Sequence, residues 1–582
     1  MQKKDGNLKE KQNEEIKERL VISDIESAEK ILGVKYSKSE RAQMLNNLEG
    51  QILSAKSRRQ NNLDNSVQMA SKFDPRLPGF SMPAKTGYEE SGLVFKLPKR
   101  EEDIAFATVG QQAYLIKNGL ITSRRLTEIY LKRIKKFQSK LQCFAIVSDE
   151  QALGQADAMD SLSKSGINLG PLHGIPYGLK DLFDTKGLIT GWGAEPYQNR
   201  VPSSDATIVK KLRAAGAVML GKTTVGALAY NDIWYGGQTR NPWNTNEGSS
   251  GSSAGSASAT AAGLCSFAIG TETLGSITSP SHRCGTTGLR PTFGRVSRRG
   301  AMALCWSLDK VGPICRSVED TGLVLSVING YDRDDRGSID AAFHFSANDS
   351  IKGLKLGYIP EAFQKGASKI DKEALKAAKS LGMKVVKVEL EDLPYMSLIN
   401  ILYAEAAAAF EHLTLSGDDD TLTWQDDGAW PNTFRKARFL SAVDHVQLDR
   451  LRYLTMKSLD KVFSEVDVLV GPFDNGPGPL LVATNFTGHP CLHIRAGFEE
   501  LSSRGEASLS NGKLSTGEAG QGKQFRVPHG VSLWGKLFEE GKILNVGMAL
   551  EAKLNVWKDR PPLFRQKTEI RNSSRKTIKN RN

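Results

Sequence analysis

Residues 248–278 read GSSGSSAGSASATAAGLCSFAIGTETLGSIT, and the first half of this stretch has the composition of a flexible linker. Glycine and serine at this density are typical of mobile tethers. They are equally typical of sites where one backbone segment must approach another, or a ligand, closely, because glycine has no side chain. The surrounding sequence decides between these two interpretations.

The composition of the whole chain is that of a folded protein. Its 582 residues are 39% hydrophobic and 25% charged, in the ordinary range for globular proteins. The net charge of +13 is concentrated at one end, because residues 558–582 contain nine Lys or Arg against two Asp or Glu. We interpret this segment as a basic, disordered and solvated tail, and nucleic acid is not an expected partner.

The cysteines and the apolar segments exclude several classes of protein. Six cysteines are spread along the chain without a CxxC pair, so neither a structural zinc site nor a disulfide framework is expected. The first 20 residues are polar, and no later run reaches the roughly 20 apolar residues of a membrane helix. We therefore expect a cytoplasmic protein without membrane contact, metal ion or organic cofactor.

Helix signals near the N-terminus predict a helical extension over residues 1–60. Ser23 and Ser37 are each followed three residues later by Glu, the pattern of a capping box. Gly33 is placed to end the first helix, and the second is expected to continue to about Ser57. Together they predict a helical hairpin.

The rest of the chain divides by composition. Residues 61–102 contain FDPRLPGFSMPAK and are predicted to form a linker or wrapping arm. From residue 103 to residue 557, helical patterns alternate with short apolar runs such as CFAIV, AVML and KVVKVEL. This alternation predicts an α/β domain with helices covering a buried sheet. The polar, glycine-rich residues 500–524 are predicted to be a surface loop insertion.

Two short motif matches fail on context. Gly216–Thr223, GAVMLGKT, satisfies GxxxxGK[ST], but the four intervening residues are apolar and predict a strand, not a phosphate-binding loop. Gly251–Gly255, GSSAG, satisfies the GxSxG of α/β-hydrolases, yet no apolar strand precedes it to hold a nucleophile elbow. Neither match is taken as functional.

Four longer motifs occur together and in order. They are GIPYGLKDLFDTKG at 174–187, the opening stretch at 248–278, CGTTGLRPTFGRVSRRGAM at 284–302 and SLDKVGPICRSVEDTG at 307–322. With these motifs the chain resembles the amidase signature enzymes from about residue 105 to about residue 557. The resemblance implies their fold, a large mixed and twisted β-sheet covered by helices on both faces.

The resemblance also implies a Ser-cisSer-Lys triad. The nucleophile of the family lies in a turn that corresponds to GTETLGSI, which indicates Ser276. The bridging serine corresponds to Ser252, held after a cis peptide bond, and the lysine corresponds to Lys180. Ser253 and Thr271 are expected to support the lysine.

The residue types fit this chemistry. A serine hydroxyl needs a base within hydrogen-bond reach to become nucleophilic. A lysine can be that base where burial keeps it neutral, and Lys180 follows the apolar IPYGL. Ser252 would then relay a proton from Ser276 to Lys180. Four backbone N–H groups are expected to form the oxyanion hole, those of Thr273, Leu274, Gly275 and Ser276.

The sequence departs from the family pattern at four positions. The family usually has Asp in place of Glu272, Gly in place of Leu274 and Ala254, and Arg in place of Thr278. All of the predicted catalytic atoms remain. Leu274 still provides an N–H but is expected to crowd the pocket, and the lost arginine indicates another substrate or a rearranged loop.

The expected function is hydrolysis of a carboxamide to a carboxylate and ammonia or an amine through an acyl-serine intermediate. The expected substrate is a small-molecule amide, and the expected assembly is a homodimer. One alternative is the glutamine-hydrolysing A subunit of a tRNA-dependent amidotransferase, which would work with a partner protein. A further alternative is an inactive amidase-like scaffold.

Overall fold

An eleven-stranded mixed sheet organises the protein. The computed structural model describes residues 20–92, 94–364, 367–473, 478–504, 508–510, 513–515 and 523–562. In chain order, the strands of this sheet are β1 (Phe144–Val147), β2 (Pro176–Lys180), β3 (Val218–Thr223), β4 (Phe267–Glu272), β5 (Thr287–Arg290), β6 (Lys310–Cys315), β7 (Lys355–Tyr358), β8 (Lys384–Lys387), β9 (Val468–Pro472), β10 (Cys491–Leu501) and β11 (Phe525–Gly535). Side by side, they lie in the order β8-β7-β9-β11-β10-β5-β6-β4-β2-β3-β1.

The helices surround this sheet. They are α1 (Ile22–Leu32), α2 (Lys38–Arg59), α3 (Glu101–Ala105), α4 (Val109–Lys117), α5 (Ser123–Leu141), α6 (Asp149–Lys164), α7 (Thr207–Ala214), α8 (Ala254–Ala261), α9 (Thr278–Cys284), α10 (Val318–Ile328), α11 (Lys369–Ser380), α12 (Ile399–Ala409), α13 (Glu411–Ser416), α14 (Trp430–Ala437), α15 (Ala442–Glu465), α16 (Pro479–Phe486) and α17 (Glu540–Leu554). No helix in the described part of the chain is long and apolar enough to span a membrane.

The central strands are buried on both faces. Every residue of β2, β3, β4 and β6 is buried. Because successive side chains of a strand point to opposite faces, burial of every residue requires cover on both sides. Parallel and antiparallel pairs both occur in the sheet, so the predicted α/β fold with a mixed sheet is confirmed.

The parallel neighbours β2 and β4 position the site. Leu179 pairs with Ile269, so the carboxyl ends of the two strands lie at the same edge of the sheet. In α/β proteins, ligands bind outside the carboxyl ends of such strands. Lys180 is the last residue of β2, and Glu272 is the last residue of β4.

The GAVMLGKT match is a buried strand, as predicted. Its residues from Val218 to Thr223 form β3, and Lys222 lies inside that strand. The Lys222 ammonium donates to the carbonyl oxygen of Phe183 at 2.5 Å and lies 3.6 Å from the Asp181 carboxylate. These contacts indicate a structural role for Lys222 within the sheet.

The N-terminal extension forms the predicted helical hairpin, with one correction. Helix α1 begins at Ile22 after Val21, whose N–H donates to the Asp24 carboxylate at 2.8 Å. Ser23 therefore lies inside the first turn and is not the N-cap. Gly33 ends α1 in the left-handed conformation, and Ser37 caps α2 in a capping box.

Residues 61–92 cross the surface of the main domain. The Phe73 ring packs edge-on against Phe293 at a centroid distance of 5.2 Å, and the Arg452 guanidinium carbon lies 3.4 Å from the Phe73 centroid. Aromatic and cation–π contacts of this kind hold an extended segment without secondary structure. The described exception is a short strand, Gly87–Glu89, paired in parallel with His344–Ser346.

The predicted insertion lies between two long paired strands. Strand β10 ends at Leu501, and β11 begins at Phe525. Between them the structure describes a small antiparallel pair, Ser508–Ser510 with Lys513–Ser515. Residues 505–507, 511–512 and 516–522 of the insertion, residues 1–19 of the extension and residues 563–582 of the basic tail lie outside the described residues.

Candidate active site

Lys180 is the buried centre of the site. Its side chain is fully buried, and its Nζ lies 2.8 Å from Ser252 Oγ, 3.0 Å from Ser253 Oγ and 2.8 Å from Thr271 Oγ1. Burial lowers the pKa of the Lys180 amine well below its ordinary value of 10.5, against the opposing effect of the Asp309 and Glu272 carboxylates. A neutral amine can accept a proton, which an ammonium cannot.

Ser253 and Thr271 form a rigid support for this amine. The Ser253 hydroxyl donates to the Thr271 carbonyl oxygen at 3.1 Å, and the Thr271 N–H donates to Ser253 Oγ at 3.2 Å. These reciprocal bonds join the start of α8 to the end of β4. The Ser253 hydroxyl and the Thr271 backbone beside Lys180 are therefore fixed before any substrate binds.

The backbone at Gly251 and Ser252 has the conformation that the resemblance predicts. The peptide bond between these two residues is cis. A Cβ atom on Gly251 would lie 1.8 Å from the carbonyl oxygen of Asn231, so no larger residue fits there. Ser252 is buried against Lys180 at the bottom of this turn.

Ser276 lies on the turn that joins β4 to α9. Its carbonyl oxygen accepts the Ser253 N–H at 3.1 Å, which ties this turn to the turn of Ser252. The Ser276 side chain lines a cavity, and 8% of its surface is exposed. Among the described residues no hydrogen bond joins the Ser276 hydroxyl to Ser252. The structure thus brings the three predicted residues to one place, with the lysine and the bridging serine in direct contact.

Glu272 holds the turn of Ser276 from behind. Its Oε2 accepts the N–H groups of Ile277 and Thr278, both at 2.9 Å, and the Thr278 hydroxyl at 3.1 Å. Two of the four departures from the family pattern, Glu272 and Thr278, thus contact each other.

Arg290 neutralises this buried carboxylate. Its Nη1 lies 2.7 Å from Glu272 Oε1, and Asn485 Nδ2 donates to the same oxygen at 3.2 Å. Burial acts to raise the pKa of Glu272, but the adjacent Arg290 guanidinium outweighs it and lowers that pKa to about 2. Sequence reasoning missed this pair. The sequence did contain a signal. A charged residue lies in each of two otherwise uncharged strands, and fully buried charges are almost always paired.

The four residues whose N–H groups are predicted to form the oxyanion hole, Thr273 to Ser276, lie in the turn that follows β4. Gly275 has a φ of 88°, a left-handed conformation that favours glycine. The Thr273 hydroxyl donates to Asp309 at 2.6 Å. Asp309 also accepts the Leu304 N–H at 2.9 Å, so it links the turn to the opposite wall of the cavity.

The cavity above Ser276 has a volume of about 290 Å³. One wall is apolar and includes Leu304, Ile399 and Leu402, together with the side chain of Leu274. Leu274 therefore forms part of the pocket surface, as expected from its position. The opposite end is polar and contains two arginines, Arg283 and Arg504.

The context that rules out a nucleophile elbow at GSSAG is visible in the structure. The strand before it, Asn244–Gly248, is polar and pairs only with Arg240–Asn241, outside the main sheet. All six cysteines are buried and free. Within the described ranges, no group of three or more His, Cys, Asp or Glu side chains is arranged to hold a metal ion.

Comparison with known proteins identifies relatives over most of the chain. The family model described as Amidase matches residues 125–544. The A subunit of the glutamyl-tRNA(Gln) amidotransferase of Pseudomonas syringae pv. tomato is 34% identical over 503 residues, which cover 78% of this chain and 99% of that protein. The corresponding A subunit of Prochlorococcus marinus is 30% identical over 495 residues, covering 77% and 97%.

Solved structures show the same architecture. The peptide amidase from Stenotrophomonas maltophilia superposes with a TM-score of 0.66 at 27% identity, and the match covers 79% of this chain and 99% of that enzyme. A bacterial aryl acylamidase superposes with a TM-score of 0.67 at 21% identity over 80% and 100% of the two chains. The second likeness is one of fold.

Proposed function

Because this chain belongs to the amidase family, as its motifs predict, we propose that it hydrolyses a carboxamide through an ester of Ser276. The products are a carboxylate and ammonia or an amine. The observation that carries the proposal is the contact between a fully buried lysine and a serine hydroxyl, with 2.8 Å between Lys180 Nζ and Ser252 Oγ. A buried amine of lowered pKa next to hydroxyl groups is the arrangement that general-base catalysis requires.

The amine is the base in the first step. In its neutral form Lys180 directs its two N–H bonds to the oxygens of Ser253 and Thr271, which lie at 3.0 and 2.8 Å. Its lone pair is then free to accept the Ser252 proton. Ser252 in turn takes the proton of Ser276, whose oxygen attacks the amide carbon.

The turn from Thr273 to Ser276 stabilises the resulting oxyanion. Donors that are fixed in place before the reaction need no reorganisation as negative charge develops, and each typically contributes about 3–4 kcal/mol to lowering the barrier. Glu272 contributes indirectly, because it holds the N–H groups of Ile277 and Thr278 just beyond the nucleophile. The catalytic turn is thereby fixed at both ends.

The tetrahedral intermediate collapses when the leaving nitrogen is protonated. The proton that Lys180 accepted returns through Ser252 to that nitrogen, and ammonia or an amine departs. Water then attacks the Ser276 ester, loses its proton along the same path, and releases the carboxylate. The full cycle returns Lys180, Ser252 and Ser276 to their starting protonation states.

A second candidate function comes from the relatives. The two amidotransferase A subunits match this chain over 97–99% of their own lengths. In this alternative the enzyme hydrolyses glutamine and supplies ammonia to a partner protein. Affinity purification from the native source distinguishes the cases: a stoichiometric second polypeptide favours the amidotransferase, whereas self-association of the 63.6-kDa chain favours the proposed homodimer.

A fluorophosphonate probe and an ammonia assay test the mechanism together. The wild type should be labelled at Ser276 and should release ammonia from members of an amide panel that spans glutamine, aliphatic, aromatic and peptide amides. Ser276→Ala should abolish labelling and hydrolysis, and Lys180→Ala should slow both by about 10²–10⁴-fold. The exposed Ser161→Ala is the matched control. An unlabelled wild type would instead support the inactive scaffold.

A further inference from the structure

The polar end of the cavity contains a guanidinium without an ion-pair partner. Arg283 lines the same cavity as Ser276. Within the described part of the chain its guanidinium makes one hydrogen bond, from Nη1 to the carbonyl oxygen of Arg504 at 3.3 Å, and no ion pair. A guanidinium has five N–H donors, so most of the hydrogen-bonding capacity of Arg283 is unused.

The neighbouring charges are already engaged elsewhere. Arg504 pairs with the buried Glu247 at 2.8 Å, and Asn241 donates to the same carboxylate at 2.7 Å. Both oxygens of Asp232 are also occupied, one by Gln238 Nε2 at 2.9 Å and the other by the Ser250 N–H at 2.8 Å. Among the described residues, neither carboxylate forms an ion pair with Arg283.

Arg283 is held in an environment that disfavours an isolated cation. Burial lowers its pKa, and the nearby Arg504 guanidinium lowers it further. A desolvated charge is stable in a protein when it is paired and hydrogen-bonded. A cation of this kind, lining the cavity without an ion-pair partner among the described residues, is suited to an anion that enters with the substrate.

We propose that Arg283 binds a carboxylate of the substrate, so that the enzyme prefers amides that carry a carboxylate elsewhere in the molecule. This inference rests on the proposed function, since it concerns the same site. A planar carboxylate matches the fork of N–H donors on a guanidinium, which favours two parallel hydrogen bonds. Arg283 thereby determines specificity and does not take part in the chemical step.

The spacing limits where that carboxylate lies. Arg283 follows Ser276 by seven residues, and α9 spans Thr278–Cys284. At a rise of about 1.5 Å per residue, Arg283 lies roughly 8 Å along the helix from its start at Thr278, and Ser276 precedes that start by two residues. Part of this distance is covered by the arginine side chain, so a few methylene groups separate the carboxylate from the scissile carbonyl. The apolar wall at Leu304 and Leu402 suits that methylene chain.

Matched amides test the preference directly. Glutaramate and adipamate carry a terminal carboxylate, and pentanediamide and hexanediamide replace it with a neutral carboxamide of the same shape. N-butanoyl-β-alanine and N-butanoyl-propylamine differ instead by a carboxylate against a methyl group at the end of the leaving amine. The wild type should show a higher kcat/KM for the charged member of at least one pair by about 10- to 100-fold, the range for a hydrogen bond to a charged group.

Variants separate binding from folding. Arg283→Gln should remove the preference by lowering kcat/KM for the charged amide by a larger factor than for the neutral one, and Arg283→Lys should retain part of it. The exposed Arg213→Gln is the matched control. Equal rates on charged and neutral amides in the wild type, or an equal loss on both in Arg283→Gln, would overturn the inference and leave the proposed function intact.

A binding measurement keeps the two proposals separable. In the inactive Ser276→Ala protein, adipate should bind in titration calorimetry, and adding Arg283→Gln should weaken that binding by about 10- to 100-fold. Unchanged adipate affinity would contradict the role of Arg283 whatever the activity. Absence of hydrolysis and of Ser276 labelling in the wild type would contradict the proposed function alone.

Discussion

The Glu272 carboxylate and the Arg290 guanidinium form an ion pair at 2.7 Å, with both side chains fully buried. The second carboxylate oxygen of Glu272 accepts the backbone N–H groups of Ile277 and Thr278. One charged pair in the sheet therefore determines where the backbone just beyond Ser276 lies. The same ion pair therefore stabilises the core and holds the turn that contains the predicted nucleophile.

Removing the charge of Glu272 should destabilise the protein strongly. Glu272→Gln leaves the Arg290 guanidinium buried without a counter-charge, which typically costs about 3–5 kcal/mol. The free energy of unfolding in urea measures this loss. Asp205→Asn, which breaks the partly exposed pair with Arg213, is the control and should cost less than about 1 kcal/mol. Similar losses of unfolding free energy in the two variants would contradict the role of Glu272 as the counter-charge of Arg290.

The same pair should make stability depend on acid pH. The pKa of Glu272 is about 2 in the folded protein against an ordinary value of 4.5. Its contribution is therefore present above pH 4.5 and is lost as the pH falls towards 2, by about 3 kcal/mol in all. Urea unfolding at pH 5, 4 and 3 should show a steeper decline for the wild type than for Glu272→Gln. Parallel declines of the free energy of unfolding in the two proteins would contradict the lowered pKa of Glu272.

Replacing Lys180 should slow hydrolysis and remove a second pH dependence of stability, at higher pH than that of Glu272. Between its lowered pKa and 10.5, the unfolded chain binds a proton at Lys180 that the folded protein does not bind. Stability of the wild type therefore rises with pH in this window, by up to about 1.4 kcal/mol per pH unit. Lys180→Met lacks this slope, so its stability relative to wild type should increase from pH 9 to pH 6.

Urea unfolding at pH 6, 7.5 and 9 measures this difference. The exposed Lys140→Met on α5 serves as the control and should follow the wild-type curve. If the wild-type and Lys180→Met curves ran parallel, the lysine would not be neutral in the folded protein. The amidase mechanism would then lack its base.

Two glycines of the site should differ in their tolerance of alanine. A Cβ on Gly251 would lie 1.8 Å from a backbone oxygen, whereas a Cβ on Gly275 would lie 3.6 Å from the flexible end of Leu481. Gly251→Ala should abolish fluorophosphonate labelling of Ser276 and lower the melting temperature. Gly275→Ala should retain the fold at a cost of about 1–2 kcal/mol for its left-handed backbone. The opposite ranking would show that the close approach at Gly251 is wrong.

The wrapping arm should depend on one asparagine. Asn65 Nδ2 donates to the Ala303 carbonyl oxygen, and the Ala303 N–H donates to Asn65 Oδ1, both at 2.8 Å. Asn65→Ala removes both bonds and should cost about 1–3 kcal/mol of local stability. Hydrogen exchange of residues 60–76 should accelerate, and the exposed Asn62→Ala is the matched control. Unchanged exchange would mean that the aromatic contacts of Phe73 suffice.

The strands were predictable because their signal is local. The apolar runs CFAIV, AVML and KVVKVEL each overlap a strand of the sheet. AVML leads into β3, which is buried on both faces and so begins as a continuous apolar run. CFAIV and KVVKVEL belong to the partly exposed edge strands β1 and β8. The start of α1 was predicted wrongly at Ser23. The Asp24 carboxylate accepts the Val21 N–H, so the helix begins at Ile22, two residues earlier than a cap at Ser23 would place it.

The buried ion pair that supports the site could not be predicted from a local signal in the sequence. Glu272 and Arg290 are 18 residues apart on strands that are not neighbours, because β6 lies between β4 and β5 in the sheet. The sequence marked Glu272 only as a departure from a family pattern. Its partners could be recognised only after the sheet order brought the two charges together.

The sequence alone determined the chemical groups and their local order: a lysine after an apolar strand, two serines in glycine-rich turns, and the family motifs that connect them. Tertiary structure decided the state of those groups. The pKa of Lys180 is lowered because segments distant in sequence exclude water from it, and the pKa of Glu272 is lowered because Arg290 is placed beside it. Desolvation and Coulomb interactions depend on what surrounds a group in space, and that surrounding is a property of the fold.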